Sequence, residues 1–247
     1  MGFDGIVYDE KSYKNYIKHL KSVSKDETIE DKKRHIAILN TKQNVIGISM
    51  AVIRKTAKQI AKNSGEAFLK LTLENDYQNE FYEDTLIQGL VIAEIKDFQK
   101  QTHYFERWVN KIDNWSTCDS VVTSLKKLKK SPEKNQYFEF YKNLCFCEKE
   151  FVSRFGLIVL MVCYLEKDYI DEVLEICEKI KSEHYYVKMA VAWLLSMAFV
   201  SFKEKVYDVL IRGVLDKFTQ NKTISKCRDS FRVSSEDEQK LVRFRIK

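Results

Sequence analysis

Asn114-Trp115-Ser116-Thr117-Cys118-Asp119 sets Trp115 and Asp119 four residues apart. In a helix that spacing stacks both side chains on one face. A flat aromatic ring beside a carboxylate is costly to leave exposed and awkward to bury. Two later residues share this character. Arg154 opens a strongly apolar run in Phe151-Val152-Ser153-Arg154-Phe155-Gly156, and Trp193 closes Tyr186-Val187-Lys188-Met189-Ala190-Val191-Ala192-Trp193. From Asp119 to Arg154 is 35 positions, and from Arg154 to Trp193 is 39. Those intervals match the length of a two-helix repeat of the HEAT class, although no exact repetition of sequence accompanies them. Each residue also has a plain structural reading: the Trp as core, the Asp as a cap or a solvated charge, the Arg as a surface cation on an apolar stem. Chemistry alone leaves both readings open.

The rest of the chain agrees with helices. Among 247 residues there are one Pro (Pro132) and seven Gly, and apolar residues make up 45 %. So few breakers favour long helices over many short strands. Tyr13, Tyr16, Ile17 and Leu20 form a first helical stripe, and a second helix runs over 27–39. Gly47 then breaks the pattern, and Ser49 caps a helix over 50–62. Further helices are read over 81–95, 98–109, 115–128, 132–145, 151–165, 170–180, 186–202 and 206–215, followed by two shorter ones. Ser131-Pro132 reads as a cap with Pro at the first helical position. Gly89, Gly156 and Gly213 lie inside helical patterns, where each costs about 1 kcal/mol against Ala; each is expected to mark a close helix crossing. The predicted architecture is all-α, an α-solenoid of HEAT-like antiparallel helix pairs, as one domain over 1–247. Trp115, Asp119, Arg154 and Trp193 would line its concave face.

Charge and cysteine narrow the function classes. The net charge is +6, but residues 217–247 hold nine Lys/Arg against four Asp/Glu, a net of +5, so the first 216 residues carry +1. A basic end on a near-neutral body points to an anionic partner, nucleic acid first, or to a solvated terminal helix. The run Leu125-Lys126-Lys127-Leu128-Lys129-Lys130 is a second basic patch, equally readable as the solvated back of a helix. None of the six cysteines forms C-x-x-C, and no His stands at zinc spacing. A reducing compartment, no structural metal and no cofactor are expected. The N-terminus lacks a leader pattern, and the longest apolar runs, 155–165 and 189–199, fall short of the ~20 residues of a membrane span. A cytoplasmic monomer without membrane contact is expected. Walker, dinucleotide, zinc-hydrolase and nucleophile-elbow motifs are all missing, which leaves nucleotide hydrolysis, hydride transfer and zinc hydrolysis without support.

The ordered set of residues resembles the AlkD-type DNA alkylation repair proteins, which are built from HEAT-like repeats. In that family a Trp stands four residues before a catalytic Asp, as Trp115 and Asp119 do. An Arg follows at the head of an apolar helix, matched by Arg154. A second Trp ends a segment with a Lys five residues before it, matched by Lys188 and Trp193, with Val187 directly before the Lys. The likeness is clearest from Phe81 to Phe202. Two positions depart from the pattern: Ala51 stands where the family often has Pro, and Ser153 where it often has a basic residue.

The resemblance implies a DNA glycosylase that excises cationic N3- and N7-alkylated purines from double-stranded DNA, gripping the backbone without a base-flipping pocket. It implies catalytic roles for Asp119, Trp115 and Trp193, and DNA binding by Arg154 and Lys188. The alternative is a non-catalytic HEAT-repeat module that binds DNA or a protein partner through the same face.

Overall fold

The computed structural model describes residues 3–24, 29–75 and 81–247, with the backbone alone at Ile29, Asp31, Lys32 and His35. The expected start of the second helix at residue 27 lies outside the described residues, as do Met1 and Gly2 of the N-terminal stretch. Among the described residues there are thirteen α-helices and no strand, only an isolated bridge between Asn44 and Phe81. The fold class expected from the sequence, all-α with helices packed in neighbouring pairs, is the one the protein has. The chain divides into two compact units, one up to Ser124 and one from Leu125.

The first unit comprises α1 (Glu10–Ser22), α2 (Ile29–Leu39), α3 (Met50–Asn63), α4 (Gly65–Leu69), α5 (Tyr82–Glu94), α6 (Phe98–Trp108) and α7 (Trp115–Val122). Every residue of α5 from Tyr82 to Ala93 is buried, the signature of a central helix, and α3, α4, α6 and α7 pack on it. Two carboxylates occupy its first turn. Glu83, 1 % exposed, accepts hydrogen bonds from the backbone N–H groups of Ile46 and Gly47, at 3.0 and 2.7 Å. Gly47 has φ +92°, which lets the loop before α3 curl its N–H groups around that carboxylate. Asp84 is fully buried and accepts hydrogen bonds from the Tyr13 and Tyr16 hydroxyls of α1, at 2.7 and 2.9 Å. Burial pushes its carboxyl up to about 6, against the opposing pull of the two tyrosines.

Leu125–Lys130 opens the second unit as a 3₁₀ turn, its Leu125 and Leu128 buried three residues apart and Lys126, Lys127, Lys129 and Lys130 exposed. After it come α8 (Lys134–Cys145), α9 (Glu150–Cys163), α10 (Ile170–Lys179), α11 (Tyr185–Arg212), α12 (Lys217–Arg228) and α13 (Ser235–Val242). Helix α9 is the central one, with α8 and α11 packed on it and α12 packed on α11. The two helices expected over 186–202 and 206–215 form one element, α11, kinked where Phe202 leaves helical geometry at φ −136° and ψ 43°. By length and composition alone α11 could cross a membrane, but half of that window is buried within the protein, as in a core helix.

Three local expectations are corrected. Gly213 marks no crossing: a Cβ there would meet nothing within 4 Å, and its φ of +61° makes it the left-handed stop of α11. Gly89 and Gly156 do mark crossings, since a Cβ would lie 2.3 Å from the Trp108 ring and 2.6 Å from the Tyr141 carbonyl oxygen respectively. Pro132 is not inside α8, whose N-cap is Glu133; it sits in a turn where the Ser131 hydroxyl accepts from the Glu133 N–H at 3.2 Å. The helix expected over 115–128 stops at Val122. All six cysteines are free thiols, five buried and Cys147 half-buried at the end of α8. Burial pushes the Cys163 and Cys227 thiols up to about 12.

Two outcomes follow from this packing. Gly156→Ala drives a methyl group into backbone atoms of α8 that cannot rotate away, so it should cost about 1–3 kcal/mol, whereas Gly213→Ala bears only the left-handed backbone, about 1–2 kcal/mol. Urea unfolding checks this, and a wild-type midpoint for Gly156→Ala would refute the crossing. The Asp84 carboxyl, at about 6 in the folded chain and about 3.9 unfolded, binds its proton more tightly when folded. The stability that Asp84 contributes therefore falls as pH rises from below 4 through 6, by about 3 kcal/mol for two pKa units. Asp84→Asn lacks that slope, so the stability difference between variant and wild type should shift in the variant's favour across this window. A difference that stays flat with pH contradicts the assignment.

Candidate functional site

Helix α7 carries the Trp–Asp pair, and its burial pattern has the helical period. Thr117, Cys118, Val121 and Val122 face the core, while Trp115, Ser116, Asp119 and Ser120 are half-exposed on the opposite side. Trp115 and Asp119 therefore share the outward face, one turn apart. Both ends of α7 are fixed by contacts remote in sequence. Asn114, 1 % exposed, caps its start by accepting from the Thr117 N–H at 2.9 Å, and its amide donates to Asp113 at 2.9 Å. Asp113 in turn accepts from the Thr41 hydroxyl at 2.8 Å and the Lys42 N–H at 2.7 Å. The Trp115 indole N–H donates to the Ile38 carbonyl at 3.2 Å, which ties the ring to the end of α2. At the far end Arg54 of α3 donates to the Ser120 carbonyl and to the Thr123 and Ser124 hydroxyls, at 3.2, 2.9 and 2.9 Å. A guanidinium at a helix C-terminus satisfies its last carbonyls and complements its dipole. These bonds, with the local one from the Thr123 hydroxyl to the Ser120 carbonyl at 2.7 Å, hold the end of α7 at Val122.

In the second unit Arg154 lies on α9 and is only 5 % exposed. Its guanidinium donates to the Tyr186 carbonyl at 3.0 Å and sits 5.8 Å from the centre of the Tyr186 ring, so it clasps the first turn of α11. Ser153 beside it is buried and donates to the Cys145 carbonyl at the end of α8, at 2.7 Å. That position faces the core, where a basic side chain could not reach a ligand. Trp193 is half-buried on α11, with the Lys226 ammonium of α12 5.7 Å above its ring. Lys188 is turned to two carboxylates, Glu183 at 2.8 Å and Asp216 at 3.9 Å. The hydrogen bond from Lys188 to Glu183 holds its ammonium above the usual lysine range. Ala51 is exposed in the first turn of α3, below the loop that Glu83 organises.

Trp115 and Asp119 thus belong to the first unit, and Arg154, Lys188 and Trp193 to the second. Reading the sequence missed Arg54 and Glu83, which hold α7 and the Gly47 loop from far along the chain, and it missed Lys226. For Lys226 a signal existed, the four-residue spacing of lysines in the basic end. Among the described residues no group of three or more His, Cys, Asp or Glu side chains is placed to hold a metal.

The sequence model of a family described as DNA alkylation repair enzyme matches residues 16–199. No curated protein and no solved structure matches the chain.

The Asn114 cap sets where α7 begins, and with it the direction of Trp115 and Asp119. Asn114→Ala should lower stability by about 1 kcal/mol, read by urea unfolding. An unchanged midpoint would show that the cap does not hold α7.

Proposed function

The chain belongs to the DNA alkylation repair enzymes, whose sequence model covers residues 16–199, and from that premise we propose that it is a DNA glycosylase that excises N3- and N7-alkylated purines from duplex DNA. The observation that carries the reading is the outward face of α7, where Trp115 and Asp119 stand one turn apart on a helix clamped at both ends. Preorganised charge of this kind accelerates reactions that develop opposite charge.

The chemistry suits a single carboxylate beside an aromatic ring. Alkylation at N3 or N7 makes the purine cationic and a good leaving group. As the glycosidic bond lengthens, the positive charge moves onto the deoxyribose. Asp119 stabilises that cation and orients the attacking water. A pair of charges ~4 Å apart is worth about 1 kcal/mol in water and about 4 kcal/mol at an intermediate dielectric. The larger figure is roughly a thousandfold in rate, enough for a lesion already primed to depart. Trp115 offers the sugar an apolar, electron-rich face. The second unit serves the backbone: Trp193 packs on a deoxyribose, and Arg154 contributes positive charge from beneath the surface. Lys188, engaged by Glu183 and Asp216, braces the start of α11. Nothing in this scheme reads a base edge, which fits recognition of the lesion through its charge.

Incubating the protein with a duplex carrying one 7-methylguanine, and scoring abasic sites, tests the proposal. Wild type should excise the base. Asp119→Asn should slow excision by about 10²- to 10³-fold, the scale of losing a few kcal/mol of transition-state electrostatics, while binding undamaged duplex as tightly as wild type. Uracil should remain uncut, since its leaving group needs an acid and this scheme assigns none. Excision by Asp119→Asn at the wild-type rate would remove Asp119 from the chemistry. DNA binding by wild type without any excision would instead support a non-catalytic helical-repeat module.

A further inference from the structure

The matched residues end at 199, and the basic end of the chain lies beyond them. Helix α12 reads Lys217-Phe218-Thr219-Gln220-Asn221-Lys222-Thr223-Ile224-Ser225-Lys226-Cys227-Arg228, with four cations and no carboxylate. Its sides are sharply divided. Thr219, Gln220, Thr223, Ile224 and Cys227 are buried. Asn221 and Ser225 are taken by the C-terminal residues: the Asn221 amide donates to the Ile246 carbonyl at 2.9 Å, and Arg245 donates to the Ser225 hydroxyl at 3.0 Å. Of the five residues that remain, Lys217 and Arg228 are exposed at the two ends of the helix, and Phe218, Lys222 and Lys226 are spaced i, i+4 and i+8 along one stripe.

That stripe runs alongside the first half of α11 in matching register. The Phe218 ring lies 5.7 Å from that of Tyr185, and eight residues further on in both helices the Lys226 ammonium lies 5.7 Å from the Trp193 ring centre. Tyr185 and Phe218 are large aromatics left 53 % and 37 % exposed. Neither Lys222 nor Lys226 makes an ion pair among the described residues. Burial, then the charges of Lys222 and Arg154, lower the Lys226 ammonium from its usual range, and the nearby carboxylate of Asp229 offsets this only weakly. The positive charges of Lys222, Lys226 and Arg154 repel one another in the free protein, a cost that the Asp229 carboxylate offsets only in part. An anionic ligand with apolar rims would offset that cost, and a nucleic-acid backbone, phosphates between deoxyriboses, has that chemistry.

We propose that Phe218, Lys222 and Lys226 of α12, with Tyr185 and Trp193 of α11, form a strip that binds the phosphodiester backbone of duplex DNA. The lysines take phosphates, and the rings pack on the sugars between them. The strip rests on the reading that DNA is the ligand, but it needs no excision. It gives the basic end of the chain a defined register on the partner, beyond a diffuse attraction.

The test is anisotropy of a short fluorescein-labelled undamaged duplex, titrated from about 0.1 to 1 M salt. Removing one phosphate-binding lysine should reduce the slope of log affinity against log salt by about 0.9. Lys226→Met, which keeps an apolar stem over Trp193, and Lys222→Gln should each weaken binding about 8-fold at 0.1 M salt and hardly at all at 1 M. The double variant should lose about 60-fold and reduce the slope by about 1.8. Arg228→Ala with Arg232→Ala removes the same charge from the basic end, off the stripe, and should change the slope by less than half as much. A wild-type slope for the lysine variants, equal losses for both pairs, or no binding by wild type at 0.1 M salt would each overturn the strip. Excision of 7-methylguanine is read separately. Excision by wild type with a slope indifferent to the lysines sinks the strip alone, and lysine-dependent binding without excision sinks the glycosylase reading alone.

Discussion

A carboxylate can be taken out of water only if protein groups replace its hydration, and the first unit is built around two such replacements. Glu83 and Asp84 open α5, which is buried at every residue from Tyr82 to Ala93. Neither finds its partners on α5 alone. Glu83 requires the Gly47 loop, with its left-handed backbone, to offer N–H groups. Asp84 requires both tyrosines of α1. The segments before α5 are thus held to its N-terminus by the need to satisfy charge as well as by apolar contact. The helix dipole adds to this, since its positive end is where both anions sit. The N–H groups of the Gly47 loop, an anion cradle by geometry, are already filled by the chain's own carboxylate.

The same logic of supply from a distance governs the candidate site. Asp119 stands on a helix of only eight residues, too short to hold itself in water. Its start is fixed through Asn114 and Asp113 to the segment after α2, and its end through Arg54 to α3. The second unit uses Arg154 in a related way, clasping the Tyr186 carbonyl so that α11 begins where α9 dictates. Charged groups in this protein serve first as braces for short or kinked helices. The half-exposed residues, Trp115, Asp119 and Trp193, are what those braces present.

Features that depend on local sequence were legible before the structure. The helical class followed from the scarcity of Pro and Gly and the recurrence of apolar residues, and the shared face of Trp115 and Asp119 followed from their spacing alone. Gly89 and Gly156 were legible as crossings because Gly within a helical pattern needs a reason. Gly213 carried the same local signature, yet it ends α11, since only the backbone beyond it shows that the helix stops. The end of α7 is held by Arg54, 68 positions before Val122, and the turn at Pro132 by a bond between Ser131 and Glu133 that competes with helix start. The basic end was legible as charge, but its stripe acquires meaning only when α12 is seen beside α11.

The distribution of thiols has a practical reach. Of six free cysteines only Cys147 is more than marginally open to solvent, and in the second unit the buried ones are held as neutral thiols by their surroundings. The native chain therefore comes with one addressable handle for a dye or spin label, at the turn between α8 and α9. The remaining thiols become reactive only as the core around them opens. Cys118 belongs to the first unit and the other four buried thiols to the second, so the order in which a small alkylating reagent modifies them would tell which half of the molecule breathes first.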